Sequence, residues 1–328
     1  MKRLRPALSL LLKAVVSLGI LAFLFTRIDG SKLLQVLSGI HVGYLGTALL
    51  GYFAGQLLSS VRWALLARPL GFKNPLRDFV SIFFIGMFFN LFAPSTVGGD
   101  FGRVFYLARG RVHGEGRDWA GSTARALISV IADRTVGMAV LVWMGAAALL
   151  LFPGYSIPAG IPYLIHGLAL AFILVWFLLP SIYRLLERKA HPIAENVRLA
   201  IGTYRKNREV LSQTILLSLI VHIIQATLQL LLGRALAVDI PFSYCFILYP
   251  LVGLFSSLPI TVNGFGLREG GYLFLLRLVG VPPEKAIAFG LLWVVIVALD
   301  SLFGGALFVL RRAPKPSAIA TAADHQLR

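Results

Sequence analysis

The chain has 328 residues, of which 58% are hydrophobic and only 14% charged, and its formal net charge is +17. Because roughly a quarter of the residues of an ordinary soluble domain are charged, this composition excludes such a domain and predicts a polytopic membrane protein. The single cysteine, Cys245, excludes an internal disulfide, and no group of Cys and His residues has the spacing of a zinc site. We therefore expect neither a metal nor a cofactor.

In the first half of the chain, full membrane spans are predicted at about 7–25, 42–61 and 126–152. The apolar stretch that begins at residue 79 is only about 15 residues long, whereas a full crossing needs about 20. Basic residues precede and follow it, and the positive-inside rule then places both of its ends on the cytoplasmic side. We predict that 79–107 is a re-entrant hairpin.

In the second half, full spans are predicted at about 163–179, 211–232 and 286–310, and a second re-entrant hairpin at 241–279. The most basic loop lies between the first two of these spans, so it is predicted to be cytoplasmic. Because each full span moves the chain to the opposite side of the membrane, the second hairpin is predicted to enter from the outer side and both termini to lie in the cytoplasm. Residues 313–328 are predicted to form a disordered cytoplasmic tail. The positive charge is explained as an orientation signal in a plasma (bacterial inner) membrane, and nucleic-acid binding is not expected.

The same ten-residue pattern, Pro-x-Thr-Val-x-Gly-x-x-x-Arg, occurs at both predicted hairpin turns, at 94–103 and 259–268. A second correspondence relates Asp133-x-x-x-Gly137 to Asp300-x-x-x-Gly304. We therefore predict an all-α protein with two inverted repeats, 1–155 and 156–312. Each would hold three spans and one hairpin. In transporters of this architecture the substrate binds between the repeats.

The motif residues have the chemistry of a turn followed by an anion site. A proline cannot continue a helix, and glycine tolerates positive φ. Arginine binds phosphate through two parallel hydrogen bonds, and a restarting helix adds free N–H groups. The predicted turn residues are Pro94, Gly98, Gly99, Pro259, Gly264 and Gly266. The candidate substrate-binding residues are Arg103, Arg268, Asp100, Glu269, Asn263, Thr96 and Thr261.

Structural roles are open for several of these residues. Asp100 and Glu269 could hold the arginines or carry protons, and intramembrane charge pairs also fix helix register. The latter interpretation applies equally to Asp133, Arg134 and Asp300, and Asp133 could pair locally with Arg134. We expect Thr96 and Thr261 to cap the restarting helices. The polar face of His222, Gln225 and Gln229 favours interhelical hydrogen bonding.

At residues 94–103, 259–269 and Asp133-Arg134, the chain resembles the flippase-like membrane proteins related to the transmembrane region of lysylphosphatidylglycerol synthase. The resemblance extends over about 7–310. The resemblance implies a membrane part like that of the bifunctional synthases, which moves aminoacylated phosphatidylglycerol to the outer leaflet. In those synthases a soluble aminoacyl-transferase domain follows the membrane part. That domain would lie beyond Arg328, so synthase activity is not expected here. Stand-alone relatives are associated with glycolipids or polyprenyl-linked sugars.

The leading hypothesis is a lipid translocase that moves an anionic phospholipid, an aminoacyl-phospholipid or a polyprenyl-linked glycolipid by alternating access. One alternative is an integral membrane enzyme with Asp100 or Glu269 as general base. Another is a non-transporting scaffold subunit of envelope lipid and glycan machinery. The expected partner is a membrane lipid, and envelope biosynthesis enzymes and a second copy of the chain are further candidates.

Overall fold

The computed structural model describes residues 15–20, 22–24, 26, 29–92, 98–110, 119–187, 192–258 and 260–310. Within them every regular element is helical, which confirms the predicted all-α class. The α-helices are α1 (Gly30–Ser38), α2 (Val42–Ala67), α3 (Leu76–Phe92), α4 (Gly98–Gly110), α5 (Trp119–Leu151), α6 (Gly160–Glu187), α7 (Pro192–Lys206), α8 (Arg208–Ala235), α9 (Phe242–Ser256), α10 (Leu267–Arg277) and α11 (Pro283–Leu310).

Four of these helices are long and apolar enough to cross a bilayer. They are Gly121–Leu151 in α5, Gly160–Leu185 in α6, and the whole of α8 and α11. Helix α2 would add a fifth span together with α1, to which it is bent by 82°. The chain is thus a multi-pass membrane protein. About half of the first predicted span lies outside the described residues, so the count of six spans stays a prediction.

Both stretches predicted as hairpins consist of two short helices that pack against each other, α3 with α4 and α9 with α10. At 1.5 Å per residue, α3 and α9 are about 26 and 23 Å long, less than the roughly 30 Å of a hydrocarbon core. The first turn, 93–97, lies outside the described residues. In the second turn φ is positive at Asn263 (50°), Gly264 (75°) and Gly266 (86°).

A cytoplasmic loop was predicted after the fourth span, but much of it is helix α7, and this part of the expectation is wrong. The helix begins at Pro192, has Glu195 in its first turn and ends with Arg205 and Lys206, an arrangement that suits the helix dipole. The Tyr204 hydroxyl donates to the Leu66 carbonyl at the end of α2, at 3.0 Å. The high charge of this segment indicates a loop, whereas the residues at its two ends indicate a helix.

Helices α2 and α8 lie against each other at the centre of the fold. Helix α3 packs on α11, and α9 packs on α5. The α3–α11 contact depends on Gly304, because a Cβ atom there would lie 1.9 Å from the Phe84 carbonyl oxygen. The two hairpins (α3–α4 and α9–α10) meet where the Asn263 side chain of the second contacts Asn90 near the end of α3.

Candidate functional site

A cavity of about 410 Å³ lies between the two hairpins and is bounded by the central helices. Arg103 from α4 and Arg268 from α10 both line it, so the structure brings the two copies of the motif to one site. The other predicted site residues that line it are Asp100, Asp133, Arg134 and Asn263.

Arg103 belongs to a network of ion pairs on one side of the cavity. It is 5% exposed, and its Nη2 donates to Asp133 Oδ2 at 2.8 Å. Its Nη1 is 3.5 Å from Asp100 Oδ1, and Asp100 Oδ2 accepts from Arg134 Nε at 2.9 Å. Asp133 and Arg134 therefore bind different partners, and the local pairing considered from the sequence is wrong.

Arg62 of α2 completes this network, and sequence analysis missed it. Its Nε donates to Asp133 Oδ1 at 2.8 Å, and its Nη1 donates to Ser218 Oγ of α8 at 2.9 Å. The sequence carried a signal for this role, because Tyr52, Ser59 and Arg62 recur at helical spacing on one face of an apolar helix. The positive-inside rule instead takes Arg62 as a basic residue of the loop that follows α2.

Arg268 has a different environment from Arg103. Its Nε donates to Glu269 Oε1 at 3.2 Å, and its guanidinium carbon lies 5.3 Å from the centre of the Phe265 ring. Its two Nη atoms make no hydrogen bond to any residue that the structure describes. Arg268 thus presents the open end of its fork to the cavity.

Glu269 lies outside the cavity lining and is 1% exposed. Its Oε2 accepts from the Gly266 backbone N–H at 2.7 Å, which satisfies a donor at the start of α10. Its other oxygen holds Arg268 Nε, so Glu269 orients the arginine.

The two hairpins are joined by a pair of asparagines. Asn263 Nδ2 donates to the backbone carbonyl of Asn90 in α3. Asn90 Oδ1 accepts from the Gly99 N–H at 2.7 Å. Asn90 lies just before the first motif and was not predicted. It links the start of α4 to the turn of the second hairpin.

Some of the remaining predicted residues are described but do not line the cavity, and others lie outside the described ranges. Thr261 is buried, and its expected capping role is wrong because α10 begins at Leu267 with Gly266 as its N-cap residue. Asp300 is 5% exposed, and its Oδ2 has no hydrogen-bond partner among the described residues. Pro94, Thr96 and Pro259 lie outside those residues.

Interhelical hydrogen bonding is confirmed for two of the three polar residues on α8. His222 Nε2 is 2.9 Å from the Gly137 carbonyl oxygen, and its Nδ1 is 3.1 Å from the Tyr249 hydroxyl. Gln229 Oε1 accepts from the Tyr272 hydroxyl at 2.9 Å. The side chain of Gln225 has no such partner in the described part of the chain and lines the cavity.

The cavity lining has an excess of positive charge. It contains four arginines, Arg62, Arg103, Arg134 and Arg268, and two carboxylates, Asp100 and Asp133, which leaves two positive charges when His222 is neutral. Low-dielectric walls strengthen the field in such a site and attract an anion. No group of three or more metal-ligating residues occurs in the described ranges.

The fold and this cavity define the class, an all-helical multi-pass membrane protein with a positively charged cavity between two helical hairpins. The family model of the lysylphosphatidylglycerol synthase TM region matches residues 10–304, and the chain belongs to that family. The predicted family relationship is thereby confirmed, and it links the protein to lipid handling. No curated protein matches the sequence significantly.

Proposed function

We propose that this protein is a lipid translocase that binds an anionic lipid headgroup between its hairpins. The observation that carries the proposal is the open fork of Arg268, which faces a cavity with two excess positive charges. A guanidinium with two free nitrogens can bind a phosphate or phosphodiester through two parallel hydrogen bonds. The acyl or polyprenyl chains would stay in the bilayer.

Packing symmetry supports two repeats within the chain. Helices α2 to α5 correspond in order to helices α8 to α11. When the two sets are exchanged, the α3–α11 contact becomes the α9–α5 contact, and the α4–α5 contact becomes the α10–α11 contact. All four of these contacts occur. The α2–α8 contact maps onto itself. A pseudo-two-fold axis between α2 and α8 would relate the halves, with the two hairpins entering from opposite faces. Rocking of one half against the other would then expose the cavity to each leaflet in turn.

The proposal needs no catalytic base. Asp100 is held by Arg134 and Arg103, and both oxygens of Glu269 are engaged by Gly266 and Arg268. The chain would act in the plasma membrane of a bacterium, with both termini in the cytoplasm. Membrane lipid would be its main partner, and envelope biosynthesis enzymes would supply or use that lipid.

The test is lipid exchange in liposomes that contain the purified protein and a fluorescent phosphatidylglycerol. A membrane-impermeant reductant measures the fraction of the lipid in the outer leaflet. We expect the wild-type protein to accelerate exchange and Arg268→Gln to lower the added rate by at least about tenfold, because a bidentate charged contact is lost.

Arg277→Gln is the matched control, since Arg277 lies on the same helix, is exposed and does not line the cavity. It should exchange lipid at the wild-type rate. Wild-type rates equal to those of protein-free liposomes, with anionic phospholipids and polyprenyl phosphates alike, would contradict the proposal.

A further inference from the structure

Three uncharged polar side chains that line the cavity make no hydrogen bond to the residues that the structure describes. Tyr52 and Gln56 are one turn apart on α2, and Gln225 is on α8. Gln225 is 3% exposed, its Oε1 has no partner, and its Nε2 lies beside Gly55. Buried polar groups are normally paired, so the unpaired Gln225 Oε1, with Tyr52 and Gln56 near it on the same cavity wall, indicates that a ligand binds there.

The neighbouring polar residues do have partners. Gln229, one turn after Gln225, binds the Tyr272 hydroxyl, and Tyr249 binds His222. Ser59 donates to the Gly55 carbonyl at 2.9 Å. On this part of α2 and α8, the polar side chains without a partner among the described residues are those that line the cavity.

We infer that Tyr52, Gln56 and Gln225 form a subsite for an uncharged, hydroxyl-bearing part of the lipid headgroup. The inference rests on the proposed function and extends it, since Arg268 would hold the phosphate next to this subsite. An amide offers both a carbonyl acceptor and two N–H donors, and a phenol can donate and accept. Neighbouring hydroxyls of a polyol present the complementary set.

A cationic headgroup extension is a poorer match. Both carboxylates in the described cavity lining, Asp100 and Asp133, are already bound by arginines. An added ammonium would enter a site with two excess positive charges and find no free counter-ion in that lining. Electrostatic repulsion selects against such a ligand.

The test compares three fluorescent lipids in the liposome assay. Phosphatidylinositol carries a polyol, phosphatidylmethanol carries the phosphodiester without hydroxyls, and lysyl-phosphatidylglycerol carries the two added amines of its esterified lysine. We expect the wild-type protein to move phosphatidylinositol about tenfold faster than phosphatidylmethanol, since two or three hydrogen bonds are gained. Lysyl-phosphatidylglycerol should also move more slowly than phosphatidylinositol.

Gln225→Leu should lower the phosphatidylinositol rate by about fivefold and leave the phosphatidylmethanol rate unchanged. Gln56→Leu, at a half-buried position, should act in the same direction and serves if the first variant is poorly folded. The control is Gln213→Leu, which changes an exposed residue of α8. It should leave both rates unchanged.

Two results overturn the subsite while the proposed function stands. One is a wild-type protein that moves phosphatidylinositol no faster than phosphatidylmethanol, or no faster than lysyl-phosphatidylglycerol. The other is a set of Gln225 and Gln56 variants in which all rates fall equally or none changes. A wild-type protein that moves none of the lipids overturns the proposed function and the subsite together.

Discussion

The two hairpins share one motif but use its arginine differently. Arg103 binds Asp133 and Asp100, and its guanidinium carbon lies 4.3 Å from the centre of the Trp63 ring and 4.8 Å from that of Phe83. Among the described residues, Arg268 forms one ion pair, with Glu269, and its guanidinium carbon lies 5.3 Å from the centre of the Phe265 ring. We therefore expect the first arginine to stabilise the fold and the second to bind a ligand.

The difference arises outside the motif. In the first half Asp133 binds both Arg62 and Arg103. Its sequence counterpart Asp300 has no ion pair in the described part of the chain. At the spacing that separates Asp133 from Asp300, the counterpart of Arg62 is the uncharged Gln229. Repeated sequence therefore predicts equivalent positions, but not equivalent interactions.

The strongest test of this contrast is Asp133→Ala. The change leaves Arg62 and Arg103 buried without their shared carboxylate, and we expect a loss of about 3–5 kcal/mol in the free energy of unfolding. Denaturant unfolding of the detergent-solubilised protein measures it. Asp300→Asn is the control and should cost less than about 1 kcal/mol, because it breaks no ion pair between described residues. Equal losses in both variants would refute the contrast.

A smaller effect is expected from Gly99→Ala in the first hairpin. The new Cβ would lie 2.0 Å from the Gly86 carbonyl oxygen, so α3 and α4 would have to separate, at a cost of about 1–3 kcal/mol. The same unfolding assay applies. At Gly270 of α10 a Cβ meets nothing within 4 Å, and Gly270→Ala should stabilise by about 0.5–1 kcal/mol. A neutral Gly99→Ala would mean that this hairpin packs more loosely than described.

Arg268→Lys separates charge from geometry. The ammonium keeps the positive charge but loses the planar fork, so we expect lipid exchange to fall by about tenfold while the unfolding midpoint changes little. Arg103→Lys should show the opposite pattern, with a lowered midpoint, because its fork bridges two carboxylates. Similar profiles for the two variants would mean that the arginines have equivalent roles.

The smallest effect is expected from Arg134→Ala. The side chain is 50% exposed, and its ion pair with Asp100 is therefore worth less than about 1 kcal/mol. A loss as large as that of Asp133→Ala, measured in the same unfolding experiment, would place Arg134 in the buried network after all.

The sequence alone determined the helical class, the membrane location, the two short helical pairs and the family. These properties depend on the lengths of apolar stretches and on a local motif, and both can be read along the chain. Part of the site also followed, because the repeated motif identified Arg103 and Arg268 as residues that could meet.

Only the tertiary structure decided which groups pair. The Arg62–Asp133 contact joins residues 71 positions apart, and Asn90 contacts Asn263 across 173 positions. No local pattern specifies such contacts, because helix packing sets the distance and orientation between charged groups. That packing surrounds Arg103 with carboxylates and leaves the Nη atoms of Arg268 facing the cavity.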